Sequence, residues 1–362
     1  MSEEFLAPIL GPNVIATANG AIWKRLHNAM APAFSWSNIR NLTTVLVDEI
    51  SLFRDGLDKY AKTGEVFSAE ELSAKLIFDV IGRVVFNFRL HAQTTPSPYL
   101  RDLREMLELA HGQTDLIASY NPIARVTTWW RRRKVLGRLH ALILGKFIIM
   151  LLSKAPNARD KLRQEHNDVF GKDLNDTIKS LLNAPERLQD LPYTEAVIKE
   201  TLRLFPVGFG IREAPAGSQV TFQEKTFAID GHQAIALNAH DVHYNTEFFP
   251  DTCIFLPERW LDTNGGVPRS HFRSFGRGKR ACLGQPLAMN ELKVIMVMLM
   301  RDYEFECAGL KPNSKPRVSH TNLDTIYGDI IFQELGIEAR PRGGMMMTVK
   351  KLKDEISYDV SI

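Results

Sequence analysis

Phe275-Gly276-Arg277-Gly278-Lys279-Arg280-Ala281-Cys282-Leu283-Gly284 stands directly ahead of a long apolar run. A cysteine thiolate binds metals, and positive charge close by favours the deprotonated sulfur. Glycines let a backbone approach something flat and bulky, and they make turns that other residues resist. The run from Pro286 to Tyr303 is predicted to be a helix. Cys282 then lies just before its N-terminus, where the helix dipole favours a negative sulfur.

The pattern Phe-Gly-x-Gly-x-Arg-x-Cys-x-Gly resembles the haem-binding loop of the cytochromes P450, the haem-thiolate monooxygenases. A buried structural cysteine in a glycine-rich turn is the competing reading. The resemblance implies haem b (iron protoporphyrin IX) as cofactor, with Cys282 as the axial ligand of its iron. A thiolate in that place pushes electron density toward bound oxygen. It further implies that Arg280 bonds a haem propionate, and that Phe275, Gly276, Gly278 and Gly284 shape the loop beneath the porphyrin.

Composition is compatible with this. A chain of 362 residues can bury a large core. The net charge of +3 is too small to point to nucleic acid. Three widely spaced cysteines (Cys253, Cys282 and Cys307) offer neither a disulfide framework nor zinc spacing, which fits a reducing, intracellular compartment. The segment Met1–Pro12 has no basic flank or long apolar run, so neither a signal peptide nor a membrane anchor is expected. Members of the resembling family usually sit on the cytoplasmic face of the endoplasmic reticulum.

Hydrophobic periodicity predicts helices at Gly20–Ala31 (stopped by Pro32), Ser35–Lys62, Ser68–Phe86, Tyr99–Ser119, Pro156–Phe170 and Leu191–Phe205, with polar connectors between the last two. Ser68-Ala69-Glu70-Glu71 is a capping-box pattern. Short strands are predicted at Gln219–Phe222, Thr226–Ile229 and Gln233–Leu237, and closing strands at Tyr303–Cys307 and Met345–Val349. The chain reads as mainly α with a minor β portion, one domain over residues 1–362, and resembles an incomplete cytochrome P450 fold. Trp129-Trp130-Arg131-Arg132-Arg133-Lys134 suits either peripheral contact with a membrane or a solvated helix face.

Other positions extend the resemblance. Glu200 and Arg203, three apart on one helix face, can pair. With Arg259 of Pro257-Glu258-Arg259-Trp260 they match the family's Glu-Arg-Arg network, a structural device that braces the haem loop. Trp23 stands where the family has a propionate-binding tryptophan, but His27 occupies the position usual for its arginine partner. A protonated histidine can still donate. Arg212 corresponds to an arginine that reaches a propionate in many members; an ordinary surface salt bridge is the alternative. Arg273, Arg277, Lys279 and Lys293 would offer a positive surface to an acidic electron donor, the family's NADPH-dependent flavin reductase, or serve solubility alone.

One family feature is missing. The helix crossing the distal face of the haem normally carries a small-residue kink followed by an acid and a threonine that deliver protons to bound dioxygen. Leu142-Ile143-Leu144-Gly145-Lys146-Phe147 instead runs straight into Ile148–Pro156, which resembles only the tail of that helix. An internal deletion joined near Phe147 is expected, and the chain also opens late relative to the family. The implied reaction is insertion of one oxygen atom from dioxygen into a small apolar molecule. The stretch from Cys282 to Lys293 and the late Pro341–Met347 resemble fungal secondary-metabolism (mycotoxin-like) members. The alternatives are an inactive haem-binding remnant or mis-spliced product of such an enzyme, and a haem-free helical interaction protein.

Overall fold

A computed structural model describes residues 13–97, 142–206, 210–230, 234–261, 267–268, 270–335 and 339–352. The predicted helix Tyr99–Ser119 and the basic cluster Trp129–Lys134 lie outside these residues. Helix α1 (Gly20–Met30) gives way to a single 3-10 turn containing Pro32, as the missing proline N–H requires. The expected helix Ser35–Lys62 is in fact two, α2 (Trp36–Asn41) and α3 (Thr43–Thr63). They divide at Leu42, whose N–H reaches the carbonyl of Ile39 (3.0 Å), a tightened last turn that ends the first helix.

After β1 (Phe67–Ser68), α4 (Ala69–Phe86) begins on the Ser68 hydroxyl, which accepts the N–H of Glu71, the cap that the sequence pattern predicts. Helix α5 (Leu142–Ser153) passes through the expected junction without a break. Phe147, Ile148, Met150, Leu151 and Leu152 are all buried, and the Phe147 ring stacks on Phe205 with centroids 4.1 Å apart. Next is α6 (Pro156–Phe170). The connector expected after it contains a further helix, α7 (Leu174–Asn183), capped by the Asp173 carboxylate on the Asp176 N–H. It was hidden because its inward face is brief and interrupted by polar residues. Helix α8 (Pro192–Leu204) is almost wholly buried.

Among the described residues, three two-stranded antiparallel pairs and one three-stranded sheet complete the fold. β2 (Gly210–Glu213) pairs with β5 (Ala234–Leu237), and β3 (Gln219–Phe222) with β4 (Lys225–Ala228). Short α9 (Ala239–His243) follows, then a long irregular segment leading to α10 (Gln285–Leu299). The helix expected to reach Tyr303 stops at Leu299 because β6 (Tyr303–Cys307) already begins there. After α11 (Asp324–Tyr327), β7 (Gln333–Leu335) pairs with β8 (Ala339–Pro341). β9 (Met346–Lys351) lies between β1 and β6, with Phe67 opposite Met347 and Phe305 opposite Val349.

The described residues are thus mainly helical with small sheets. One apolar cluster runs through α3, α4, α5, α8 and α10. Arg54 of α3 ties the carbonyl of Met298 and the carboxylate of Asp302 (2.5 Å) to this core, so the helix after Cys282 is anchored at its far end.

Candidate functional site

The loop before α10 closes on itself. The Cys282 N–H donates to the Phe275 carbonyl at 2.8 Å, the Gly276 N–H to that of Arg273 at 2.8 Å, and the Ala281 N–H to that of Gly278 at 3.0 Å. Gly276 (φ 66°) and Gly278 (φ 72°) adopt the left-handed backbone that side-chain-bearing residues resist. Gly284 serves differently: a Cβ there would lie 3.9 Å from the Cys282 sulfur and 3.8 Å from the Phe34 ring, so glycine keeps the space beside the sulfur clear.

Cys282 is exposed as a residue, but protein crowds its sulfur enough to push the thiol pKa above its ordinary value. The N–H groups of Gly284 and Gln285, at the start of α10, oppose this in part. The flanking basic residues do not contribute, contrary to the sequence expectation. The Arg280 guanidinium turns away from the sulfur, donating to the carbonyl of Ala18 (2.6 Å) and Oδ1 of Asn19 (2.8 Å), while Arg277 and Lys279 are exposed.

Arg280 instead gathers the expected propionate partners. Its guanidinium lies 4.5 Å from the centroid of the Trp23 ring, and the Trp23 and His27 rings lie with centroids 4.8 Å apart, tilted by 38°. Arg212 of β2 is near enough to lower the Arg280 pKa, second to the effect of burial. Two guanidiniums brought together repel, and an anion relieves that repulsion. None of the α1 residues is buried, and Ile22 and Met30 are exposed on the helix that carries Trp23. A thiol at a helix N-terminus, converging cations and a helix that exposes apolar side chains beside them fit a haem with its two propionates.

Behind the loop lies the network predicted from Glu200, Arg203 and Arg259. Glu200 and Arg203 are completely buried, and two guanidinium nitrogens of Arg203 reach the two carboxylate oxygens at 2.9 and 2.8 Å. Arg259 Nε reaches the same carboxylate at 3.2 Å. Trp260 Nε1 (2.9 Å) and the Leu256 N–H (3.0 Å) complete its coordination by donors. Trp260 was missed in the sequence; its place directly after Arg259 was the available signal. Glu258, next to Arg259, braces the segment outward by accepting from Lys161 (2.7 Å) and the Tyr193 hydroxyl (3.0 Å). Sequence reasoning also missed His243 and Ser274, which link this network to the loop: Nε2 of His243 accepts the Arg273 N–H at 2.9 Å, and the Ser274 hydroxyl donates to the Leu202 carbonyl at 2.9 Å.

Lys293 does not belong to a positive surface. It is buried, donating to the Leu188 carbonyl (3.1 Å) and to Glu195 (2.8 Å), so it fastens α10 to α8. Only Arg273, Arg277 and Lys279 of the expected basic group are exposed. No helix of the described residues is long and apolar enough to cross a membrane.

A family model described as Cytochrome P450 matches residues 9–146 and 145–323. The chain belongs to the cytochrome P450 family. The two matched stretches meet beside Phe147, where the sequence places a junction. Among curated proteins, the chain is similar to cytochrome P450 monooxygenase acrF of Aspergillus aculeatus, 27% identical over 96% of this chain and 86% of that protein. It is also similar to cytochrome P450 monooxygenase polC of Polytolypa hystricis (26% identical; 84% of this chain, 67% of that one). For cytochrome P450 monooxygenase ptmG of Penicillium ochrochloron the identity is 23%, over 96% and 75% respectively. The alignment with acrF spans 435 residues, longer than the 362-residue chain, so part of that span has no counterpart here.

Proposed function

We propose that this P450 chain binds haem b through the Cys282 thiolate and is the haem-thiolate core of a monooxygenase acting on a small apolar molecule of fungal secondary metabolism. The observation that carries the reading is the loop: a thiol ahead of a helix N-terminus, cleared of side chains at Gly284, with Arg280, Arg212, Trp23 and His27 grouped beside it. Bound there, haem supplies the thiolate-assisted oxygen chemistry of the family.

The chain's own residues do the holding. The N–H groups of Gly284 and Gln285 stabilise negative charge on the sulfur. Arg280 and Arg212 take the propionates, with Trp23 and His27 donating beside them. Glu200, Arg203, Arg259 and Trp260 keep the segment ahead of the loop from shifting. Electrons come from NADPH through a flavin reductase, whose acidic face meets Arg273, Arg277 and Lys279. Association with the endoplasmic reticulum, usual for the family, is part of the same reading.

A second reading is haem binding without oxygenation. Its support is α5: the helix Leu142–Ser153 contains no acid and no threonine, so the proton-delivering pair is missing from the only part of the distal helix that it resembles. Purified protein supplied with haem, NADPH and a fungal reductase separates the two. Haem binding with substrate-dependent NADPH oxidation and an oxygenated product supports the monooxygenase; haem binding without product supports the second reading.

A further inference from the structure

We propose that His243 is the positioning residue that couples the Cys282 loop to the buried Glu200–Arg203 pair. The functional meaning of this coupling rests on the reading of Cys282 as the iron ligand; the coupling itself is a property of the protein alone. A helix leaves its last four carbonyls without intrahelical partners unless something else caps them. At the end of α8 two of the four caps, Ser274 and His243, come from the residues that link to the loop. The Thr201 carbonyl takes the Phe205 N–H (2.8 Å), that of Leu202 the Ser274 hydroxyl (2.9 Å), and that of Leu204 the Tyr244 hydroxyl (3.1 Å). The Arg203 carbonyl takes Nδ1 of His243 (3.1 Å).

His243 is completely buried and bound on every polar side. Its Nε2 lies 2.9 Å from the backbone nitrogen of Arg273, which can only donate, so Nε2 accepts. Nδ1 therefore carries the proton and donates to Arg203, while the His243 carbonyl accepts from the Arg203 guanidinium at 3.0 Å. One tautomer satisfies the whole arrangement. Burial, joined by the positive charges of Arg203, His240 and Arg273, lowers the ring's pKa to about 4, and the bond to the Arg203 carbonyl opposes this only in part. A second proton would set N–H against N–H at Arg273. Phe272, parallel to the ring at 5.8 Å, and Phe249, edge-on at 5.9 Å, hold its plane.

From Arg273 the path continues without a gap. Its carbonyl accepts the Gly276 N–H, and the neighbouring Phe275 carbonyl accepts the Cys282 N–H, both at 2.8 Å. His243 is thus the side-chain link between a buried ion pair and the turn that aims the thiol.

The test begins without haem. In His243→Phe, which keeps the ring and loses both nitrogens, amide hydrogen exchange at residues 273–282 should quicken about tenfold, as expected for loss of a hydrogen bond that leaves a partner unpaired. Exchange in α3 should not change, and His243→Gln should restore part of the protection. Unchanged exchange at 273–282 in His243→Phe would overturn the proposal. Should that variant not fold, nitrogen NMR of the wild-type imidazole decides: a neutral ring protonated on Nδ1 from pH 5 to 8 supports the coupling, and a ring protonated on Nε2 overturns it. With haem, His243→Phe should shift the reduced carbon monoxide spectrum from the thiolate toward the thiol form. Loss of loop protection in the variant, with no thiolate band even in the wild type, would refute the haem reading and leave the coupling standing.

Discussion

Glu200→Ala removes the centre of the arrangement behind the loop. In the native chain its carboxylate accepts from Arg203 twice, from Arg259, from Trp260 and from the Leu256 N–H. Both Glu200 and Arg203 are inaccessible to water, so the substitution strands a buried guanidinium and an indole N–H at once. Breaking a buried pair by removing one partner costs roughly 3–5 kcal/mol, chiefly as the uncompensated charge left behind. At roughly 2–4 °C per kcal/mol for a large domain, the midpoint should fall on the order of 10 °C. Thermal and urea denaturation of the haem-free protein, followed by far-ultraviolet circular dichroism, would measure this. Glu200→Gln with Arg203→Met should be less damaging than Glu200→Ala alone, because the fully buried Arg203 charge is removed with the carboxylate and Arg259 keeps the carbonyls of Pro250 and Asp251. A loss below about 1 kcal/mol in Glu200→Ala would refute the assignment of this network as the brace of the loop.

Glu291, on α10, is fully buried, and burial raises its pKa to about 8. The unfolded chain releases this proton near its ordinary value of 4.5, so the glutamate's burial weakens the fold progressively as pH rises from there to about 8. Glu291→Gln should abolish that decline in urea titrations, and an unchanged pH slope would contradict it. Glu195 has the opposite shift: Lys199 and Lys293 outweigh burial and hold its pKa at about 2. Its contribution is present above pH 4.5 and fades as pH falls toward 2, so Lys293→Met should flatten acid unfolding across that window. Gly284→Val should impair haem uptake while leaving the haem-free melt near the wild type, because the added carbons fall beside the sulfur and Phe34. Equal uptake would show that the space there is not used.

What could be read from the sequence depended on how local the cause was. The Ser68 cap and the Glu200–Arg203 pair are set by residues within a few positions of each other, and both stand as expected; the cysteine loop closes as a turn, but without the help to its sulfur that the basic neighbours suggested. Arg259 was legible only because its surrounding motif is known. Helix α7 escaped because its apolar stripe is short. His243 and Ser274 escaped for another reason: their partners, the last carbonyls of α8, lie dozens of residues away, and no periodicity marks a backbone acceptor. Lys293 misled because a lysine two positions after Glu291 looks like surface, yet its stem is buried and its charge met by Glu195. The unbroken α5, packed by Phe147 on Phe205, makes an ordinary buried helix at the junction, and it contains neither an acid nor a threonine.

The reduced carbon monoxide difference spectrum of haem-loaded protein tests the central claim most directly. The thiolate band should appear in the wild type, persist in Cys253→Ala and Cys307→Ala, and vanish in Cys282→Ala. A thiolate band that survives Cys282→Ala, or one lost in either of the other two variants, would contradict the account.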